Sequence, residues 1–431
     1  MASEAERPAL LAGLRAALLD GNVRPMPSRV IVSGIGVVST FGASRESFRD
    51  GLLAGRTGIA PVTAFDVSAC RSRLAASVTG FDAAAWISPM KLRRMDDTAR
   101  YAVVTTRQAF EDAVYPLSAA GDDHVGVIMG TFTAGGQATS EYLTALHGGG
   151  AAAAPAILFN STVANAAASL AGLEFKLRGP NVTVSQKESS GLAAIVSAMD
   201  TIRVGRAPAI AAGGVDAIFD IFFHVHSQFG VMATGEALPP GPFDKDRCGF
   251  VLGEGGFALL LEDERSAAAR GARGYGAVLG VGAGSAAVGI NQWPDTPDAI
   301  VRTMNAAIAD ANLTPADIDI VYASANATAV LDRVEAQAIQ QVFGASRPLV
   351  TSIKGAIGEF GASGAAACVA ALLCGAQGEV PPIVGLREID PEIADLNLVR
   401  KSQTMSGPTV LVNSVGSGGS LFSVVLSVRR R

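Results

Sequence analysis

The sequence predicts an α/β protein made of two similar halves, and three observations support this. Short β-branched runs such as VGVIMG, NVTVS and TVLVNSV alternate with Ala- and Gly-rich stretches, which is the grammar of sheets covered by helices. That grammar occurs twice, once on each side of about residue 265, as an internal duplication would produce. With 431 residues, 49% hydrophobic content, 17% charge and a mean hydropathy of +0.34, the chain can bury a large core.

The elements follow in chain order. Residues 1–28 form an extension with a helix candidate over 8–20, where Leu10, Leu11, Leu14, Leu18 and Leu19 give an apolar face, and the turn-like GNVRPMPS follows. So short a helix is marginal alone, so it docks or frays. The first half spans 29–265 and opens with RVIVSGIGVVSTFG, read as a strand, a Gly-rich turn and the approach to a helix. Strands in VGVIMGTFTAGG, NVTVS, AIAAGGVDA and GFALLLED follow. The second half, 266–431, repeats the pattern with GAVLGVGAG, IDIVYASANATA, PLVTSIKGAIGEFGASG and TVLVNSVGSGGSLFSVVLSV. Val182, Thr183 and Val184 read as a buried strand running into a small-residue helix, with the charged Glu188 in the enclosed turn between them. In IFFHVHSQF the alternation of His224 and His226 reads as strand-like or interface packing; a metal pair lacks a third ligand.

Composition removes several function classes. A net charge of -5 supplies no basic field for a phosphate backbone, and Lys/Arg residues form a run only at 429–431, so nucleic acid is not expected as a partner. No apolar stretch reaches the roughly 18 residues of a membrane span. Glu4, Glu6 and Arg15 make the N-terminus unlike a signal peptide, so no membrane association and a cytoplasmic location are expected. Cys70, Cys248, Cys368 and Cys374 show no CxxC spacing, which argues against a disulfide framework or a zinc site. Cys368 and Cys374 lie in Ala/Leu-rich sequence and read as buried packing residues. No metal and no cofactor are expected.

Five landmarks carry a family resemblance from about residue 29 to the C-terminus. They are LRGP at 177–180 before a strand, AGGVD at 212–216, PFDKDRCGFVLGEG at 242–255, Lys354 in TSIKGAIG, and NSVGSGG at 413–419. In this order the chain resembles the β-ketoacyl-acyl-carrier-protein synthases, which implies a thiolase-like fold of two pseudo-duplicated halves in an αβαβα layering. The family's chemistry needs a cysteine at a tight strand-to-helix turn and two histidines that assist malonyl decarboxylation and stabilise developing charge. Matched residue by residue, the cysteine position is Glu188, the first histidine position is Ser324, and the second is Glu359. All three are replaced, and His124, His147, His224 and His226 fall elsewhere, so an ordinary condensing enzyme is excluded. Asp244, Arg247, Glu254, Asp332 and Glu335 match family residues that look structural, and Ser417 stands where the family has a gating phenylalanine.

Within that family the chain resembles the chain-length-factor subunit of type II polyketide synthases, a degenerate synthase that pairs with an active ketosynthase and shapes the tunnel for the growing chain. The resemblance implies a ketosynthase partner that supplies Cys and both His, with the acyl carrier protein engaged mainly through that partner. The subfamily typically has glutamine where this chain has Glu188. A buried carboxylate needs a cation, and Lys354 is the first candidate with Lys187 the second; Glu359 shares that pocket. Chain-length control is expected on Gln137, Thr139, Ser140 and Tyr142, facing Phe159 and Asn160, with ordinary interface packing as the bland reading. The absent histidines favour a polyene-type pathway over an aromatic one. The alternative is a stand-alone malonyl-carrier-protein decarboxylase or a divergent acyltransferase using Ser189, Ser190 or Ser324 as nucleophile.

Overall fold

Gly34 and Gly36, which the sequence pattern places in a turn, lie inside one nine-residue strand, β1 (Val30–Val38). A Cβ at either position would meet a helix carbonyl, 2.0 Å from Ala109 O and 1.9 Å from Thr105 O. The glycines therefore let a helix lie directly on the strand. The structure, a computed structural model, describes residues 29–430 apart from residue 394. The helix candidate at 8–20 lies outside the described residues.

Ten further strands join β1 in one mixed sheet. They are β2 (Val125–Gly130), β3 (Asn181–Val184), β4 (Ala209–Asp216), β5 (Gly255–Asp263), β6 (Gly276–Ser285), β7 (Ile320–Tyr322), β8 (Leu349–Thr351), β9 (Asn397–Leu398), β10 (Thr409–Val415) and β11 (Ser420–Val428). Their spatial order is β9-β8-β7-β10-β11-β6-β1-β5-β4-β2-β3. In the first half β3, β2 and β4 are parallel, and β5 and β1 follow antiparallel. In the second half β8, β7 and β10 are parallel, and β11 and β6 follow antiparallel. The halves thus share one strand pattern, and the antiparallel pairing of β1 with β6 joins them.

Seven long helices complete the layers: α1 (Asp97–Asp112), α2 (Gly136–Gly149), α3 (Ser190–Arg203), α4 (Asp220–Phe229), α5 (Asp298–Asp310), α6 (Ala329–Phe343) and α7 (Ser363–Ala376). Helices α3 and α7 each touch strands of both halves and form the central layer, while α1 covers the first half and α5 the second. The central pair approaches closely because its residues are small: a Cβ at Gly191 would lie 3.0 Å from Ala365 Cβ, and one at Gly214 would lie 2.8 Å from Ala362 Cα. Every residue of α7 is buried, including Cys368 and Cys374, whose thiols burial pushes up in pKa. The duplication extends to single residues, since Gly280 and Gly282 of β6 face Ala307 O and Thr303 O of α5 as Gly34 and Gly36 face α1.

Two local expectations are corrected. The stretch 182–184 is not a buried strand: β3 is the sheet's edge, with Val182 exposed and Thr183 and Val184 half-buried. A short apolar run cannot distinguish edge from centre, because both bury one face. The stretch IFFHVHSQF is helical, so His224 and His226 point apart: His224 Nε2 meets Asp66 O, while the His226 ring packs on Phe132 and Phe222. Among the described residues no helix is long and apolar enough to cross a membrane.

Candidate functional site

The turn after β3 is held by its own serine. Ser190 Oγ donates to Lys187 O at 2.6 Å and accepts from Gln186 N at 2.9 Å, closing the one-turn segment Lys187–Ser189 that feeds α3. Lys187 adopts φ +50°, a left-handed conformation that costs a lysine of order 1 kcal/mol. Phe243 and Ala327 are also left-handed, at φ +65° and +73°.

Glu188 is 5% exposed at the N-terminal end of α3, where the helix dipole favours a negative charge. Its Oε2 accepts from Ser417 N at 2.9 Å, and Ser417 Oγ lies 2.9 Å from Oε1. Lys187 Nζ donates to Ser417 Oγ at 2.8 Å and to Asn291 Oδ1. The cation that accompanies Glu188 is therefore Lys187, acting through Ser417. Lys354, the first candidate, makes no bond to Glu188.

Lys354 instead forms a buried ion pair with Glu359, Nζ to Oε2 at 2.6 Å, and donates to Ser324 Oγ at 3.1 Å. The remaining capacity of Glu359 is met by Asn326 Nδ2 at 2.8 Å and Ser363 Oγ at 2.8 Å. Burial raises the Glu359 pKa; Lys354 opposes the shift and the nearby Glu188 charge adds to it. The two carboxylates thus share one electrostatic pocket. Ser324 Oγ also accepts from Val415 N at 3.0 Å, and its backbone N–H donates to Glu335 Oε1 at 2.8 Å. All three motif positions, Glu188, Ser324 and Glu359, are wired into the scaffold by hydrogen bonds.

The surrounding carboxylates mainly anchor loops. Asp332 receives Phe243 N and Asn326 N, Glu254 receives Val78 N and Ile218 N, and Asp244 receives the backbone of Arg387 and Glu388. Arg247 reaches Asp390 Oδ2 at 2.5 Å. Burial lifts Asp96, Asp216 and Asp332 to about 6 and Glu254 and Glu335 to about 7. Because these pKa values exceed the ordinary 3.8 and 4.5, the folded state holds more protons than the unfolded chain between about pH 4 and 7, and stability falls as pH rises through that window. His226, whose pKa burial lowers, opposes this with one group. Urea unfolding at pH 5.5 is expected to give a free energy at least about 2 kcal/mol higher than at pH 8. A curve that is flat or rises toward pH 8 would contradict the assignment of these buried acids.

Among the described residues, His224 and His226 bond the backbone carbonyls of Asp66 and Phe222 rather than a serine or cysteine. Ser189 Oγ donates to Ser420 O at 3.3 Å, and Ser190 and Ser324 are committed as described. Cys248 is exposed in its turn, and Cys368 and Cys374 lie inside α7. His226 is the histidine nearest the turn: Lys187 Nζ sits 5.7 Å over the Phe132 ring, and His226 packs on that ring at 5.7 Å. This aromatic wall of Phe132, Phe222 and His226 is missing from the sequence-derived candidates. The signal was present as the spacing of Phe219, Phe222, His226 and Phe229, which is helical rather than alternating.

The tunnel candidates form a separate patch near the β3 edge. Tyr142 of α2 packs on Phe159 at 5.8 Å, Thr139 Oγ donates to Thr162 O at 3.2 Å, and Gln137 Oε1 accepts from Asp97 N at 3.3 Å. Ser140 is half-buried, Asn160 is exposed, and Phe159 is 61% exposed. None of them bonds to the Glu188 turn. Leu143, Ile157, Val163, Leu173 and Val182 add exposed apolar surface on the same group of elements.

Comparison with known proteins agrees with this architecture. Residues 27–267 match the model of the β-ketoacyl synthase N-terminal domain, and 275–387 match that of its C-terminal domain. The chain belongs to the β-ketoacyl synthase family. This synthase-family chain is 31% identical to the 3-oxoacyl-[acyl-carrier-protein] synthase 2 of Synechocystis, over 91% of the chain and 96% of that protein. It is 31% identical to the tetracenomycin polyketide synthase ketoacyl synthase alpha subunit of Streptomyces glaucescens, over 94% and 98%. Among solved structures, the ishigamide ketosynthase/chain length factor superposes with a TM-score of 0.87 at 30% identity, covering 94% of this chain and all of that one. The thiolase-like fold of the family is the fold described above.

Proposed function

We propose that this β-ketoacyl synthase homologue is a non-catalytic subunit of the chain-length-factor type, which pairs with a cysteine-bearing ketosynthase and shapes the tunnel for a growing polyketide, of polyene type. The observation that carries the reading is the wiring of the three motif positions: Glu188 to Ser417, Ser324 to Lys354 and Val415, and Glu359 to Lys354 and Asn326. A carboxylate cannot hold a thioester, and no described imidazole stands beside a serine to act as base. The resemblance to the ishigamide ketosynthase/chain length factor supports the same reading.

The partner surface follows from the edge strand. β3 presents unpaired backbone groups beside exposed Val182, with Phe159, Val163 and Leu173 on neighbouring elements. An open apolar edge is a template for strand pairing with another chain, and a second chain of the same fold would cover it. Co-expression with a candidate ketosynthase is expected to yield a stable one-to-one complex. Val182→Arg should weaken that complex at least about 100-fold, because it places an unpaired charge at a desolvated centre. The reading fails if the purified chain alone turns over malonyl-carrier protein and Glu188→Ala abolishes that turnover.

A further inference from the structure

The bonds around Glu188 reach two loops, one of them the end of the NSVGSGG stretch. Residues 416–419 lie over the turn, and residues 286–292 lie beside them: Gly418 N donates to Gln292 O at 2.8 Å, and Ala286 N donates to Gly419 O at 2.9 Å. Lys187 grips both loops, through Ser417 Oγ on one and Asn291 Oδ1 on the other. Glu188 adds two bonds to Ser417, one from its backbone N–H and one from its hydroxyl. Gly416 N donates to Ser420 O at 2.8 Å and closes the first loop on itself. Val415, the residue before the first loop, donates its N–H to the fully buried Ser324 Oγ at 3.0 Å, and Lys354 Nζ reaches the same hydroxyl at 3.1 Å.

We propose that Lys187 and Glu188 form a clasp that holds loop 416–419 shut against loop 286–292, so that the pocket containing Ser324 and Lys354 admits no thioester borne by a carrier protein. The inference rests on reading that pocket as non-catalytic and extends it: the growing chain is confined to the partner's pocket and the shared interface. Lys187 is the positioning residue. Its left-handed φ of +50° is what brings the ammonium over Phe132 and between the two loops. A serine at 417 suits the clasp because its small hydroxyl bridges the two charges, accepting from the ammonium and donating to the carboxylate.

The test places a thiol behind the clasp. In the Ser324→Cys protein, free or in its complex, alkylation of the new thiol by iodoacetamide is followed by peptide mass spectrometry, which separates it from the exposed Cys248. Labelling is expected to be at least ten-fold slower with Lys187 present than in the same protein carrying Lys187→Gly. Glycine tolerates the left-handed backbone, so that change removes only the side chain. Lys187→Arg should restore slow labelling, which general loosening of the fold would not predict. Amide hydrogen exchange on the chain without the reporter gives a second measurement: 416–419 and 286–292 should exchange slowly and accelerate together in Lys187→Gly. Fast labelling with Lys187 in place, or exchange in the two loops that ignores Lys187→Gly, overturns the clasp. Turnover of malonyl-carrier protein by the isolated chain would overturn the non-catalytic reading and the exclusion of carrier-borne thioesters together, whereas fast labelling in a chain without turnover would overturn the clasp alone.

Discussion

Lys354→Met is expected to lower the unfolding free energy by about 3–5 kcal/mol, although Lys354 is a single residue. Its ammonium is the charge partner of the fully buried Glu359, at 2.6 Å, and also supports Ser324 Oγ. Removing one member of a buried pair strands the other without solvation, and that desolvation cost dominates the loss. The double variant Lys354→Met with Glu359→Leu should recover much of the deficit, because two apolar groups replace the pair. The penalty of the single variant should also shrink at acid pH, since Glu359 already has a raised pKa and takes up a proton more readily there. Urea melts of the three variants at two pH values check both statements. A loss below about 1 kcal/mol for Lys354→Met would mean that the pair is not structural and would reopen a catalytic role for the lysine.

The second large effect concerns activity. On the proposed function Glu188→Cys restores a thiol at the nucleophile position, yet acyl transfer by this chain is expected to stay at background, because Ser324 and Glu359 supply no imidazole. Each positioned acid or base contributes typically 10²–10⁴-fold. In a Lys187→Gly background that opens the clasp, adding Ser324→His and Glu359→His to Glu188→Cys should therefore raise turnover of malonyl-carrier protein by about 100-fold or more over Glu188→Cys in the same background. Single-turnover assays on the isolated chain measure this without a partner's background. If Glu188→Cys alone matched the triple variant, the assignment of Ser324 and Glu359 as vacated histidine positions would be wrong.

Much of the fold was legible in the sequence because sheets and helices leave periodic traces. The α/β alternation, the repeated order of runs and the ordered motifs from LRGP to NSVGSGG led to a layered, duplicated architecture. The errors share one cause, which is that local pattern does not report the neighbour. Gly34 and Gly36 read as a turn because glycine breaks local regularity, but their reason lies 75 residues away from Gly34, in the carbonyl of Ala109. The stretch 182–184 reads as buried because its residues are apolar, yet it ends the sheet.

The candidate site divides in the same way. Sequence by itself determined that a carboxylate, a hydroxyl and a second carboxylate stand at Glu188, Ser324 and Glu359, the positions that the proposed function reads as a vacated thiol and two imidazoles. Only the tertiary structure decided which charge pairs with which. Lys187 and Lys354 were both plausible partners for Glu188, and the choice depends on a few ångströms set by the packing of α3 against α7 and by the return of loop 416–419 over the turn. Coulomb energy and hydrogen bonding fall off over such distances, while residue spacing along the chain carries no information about them.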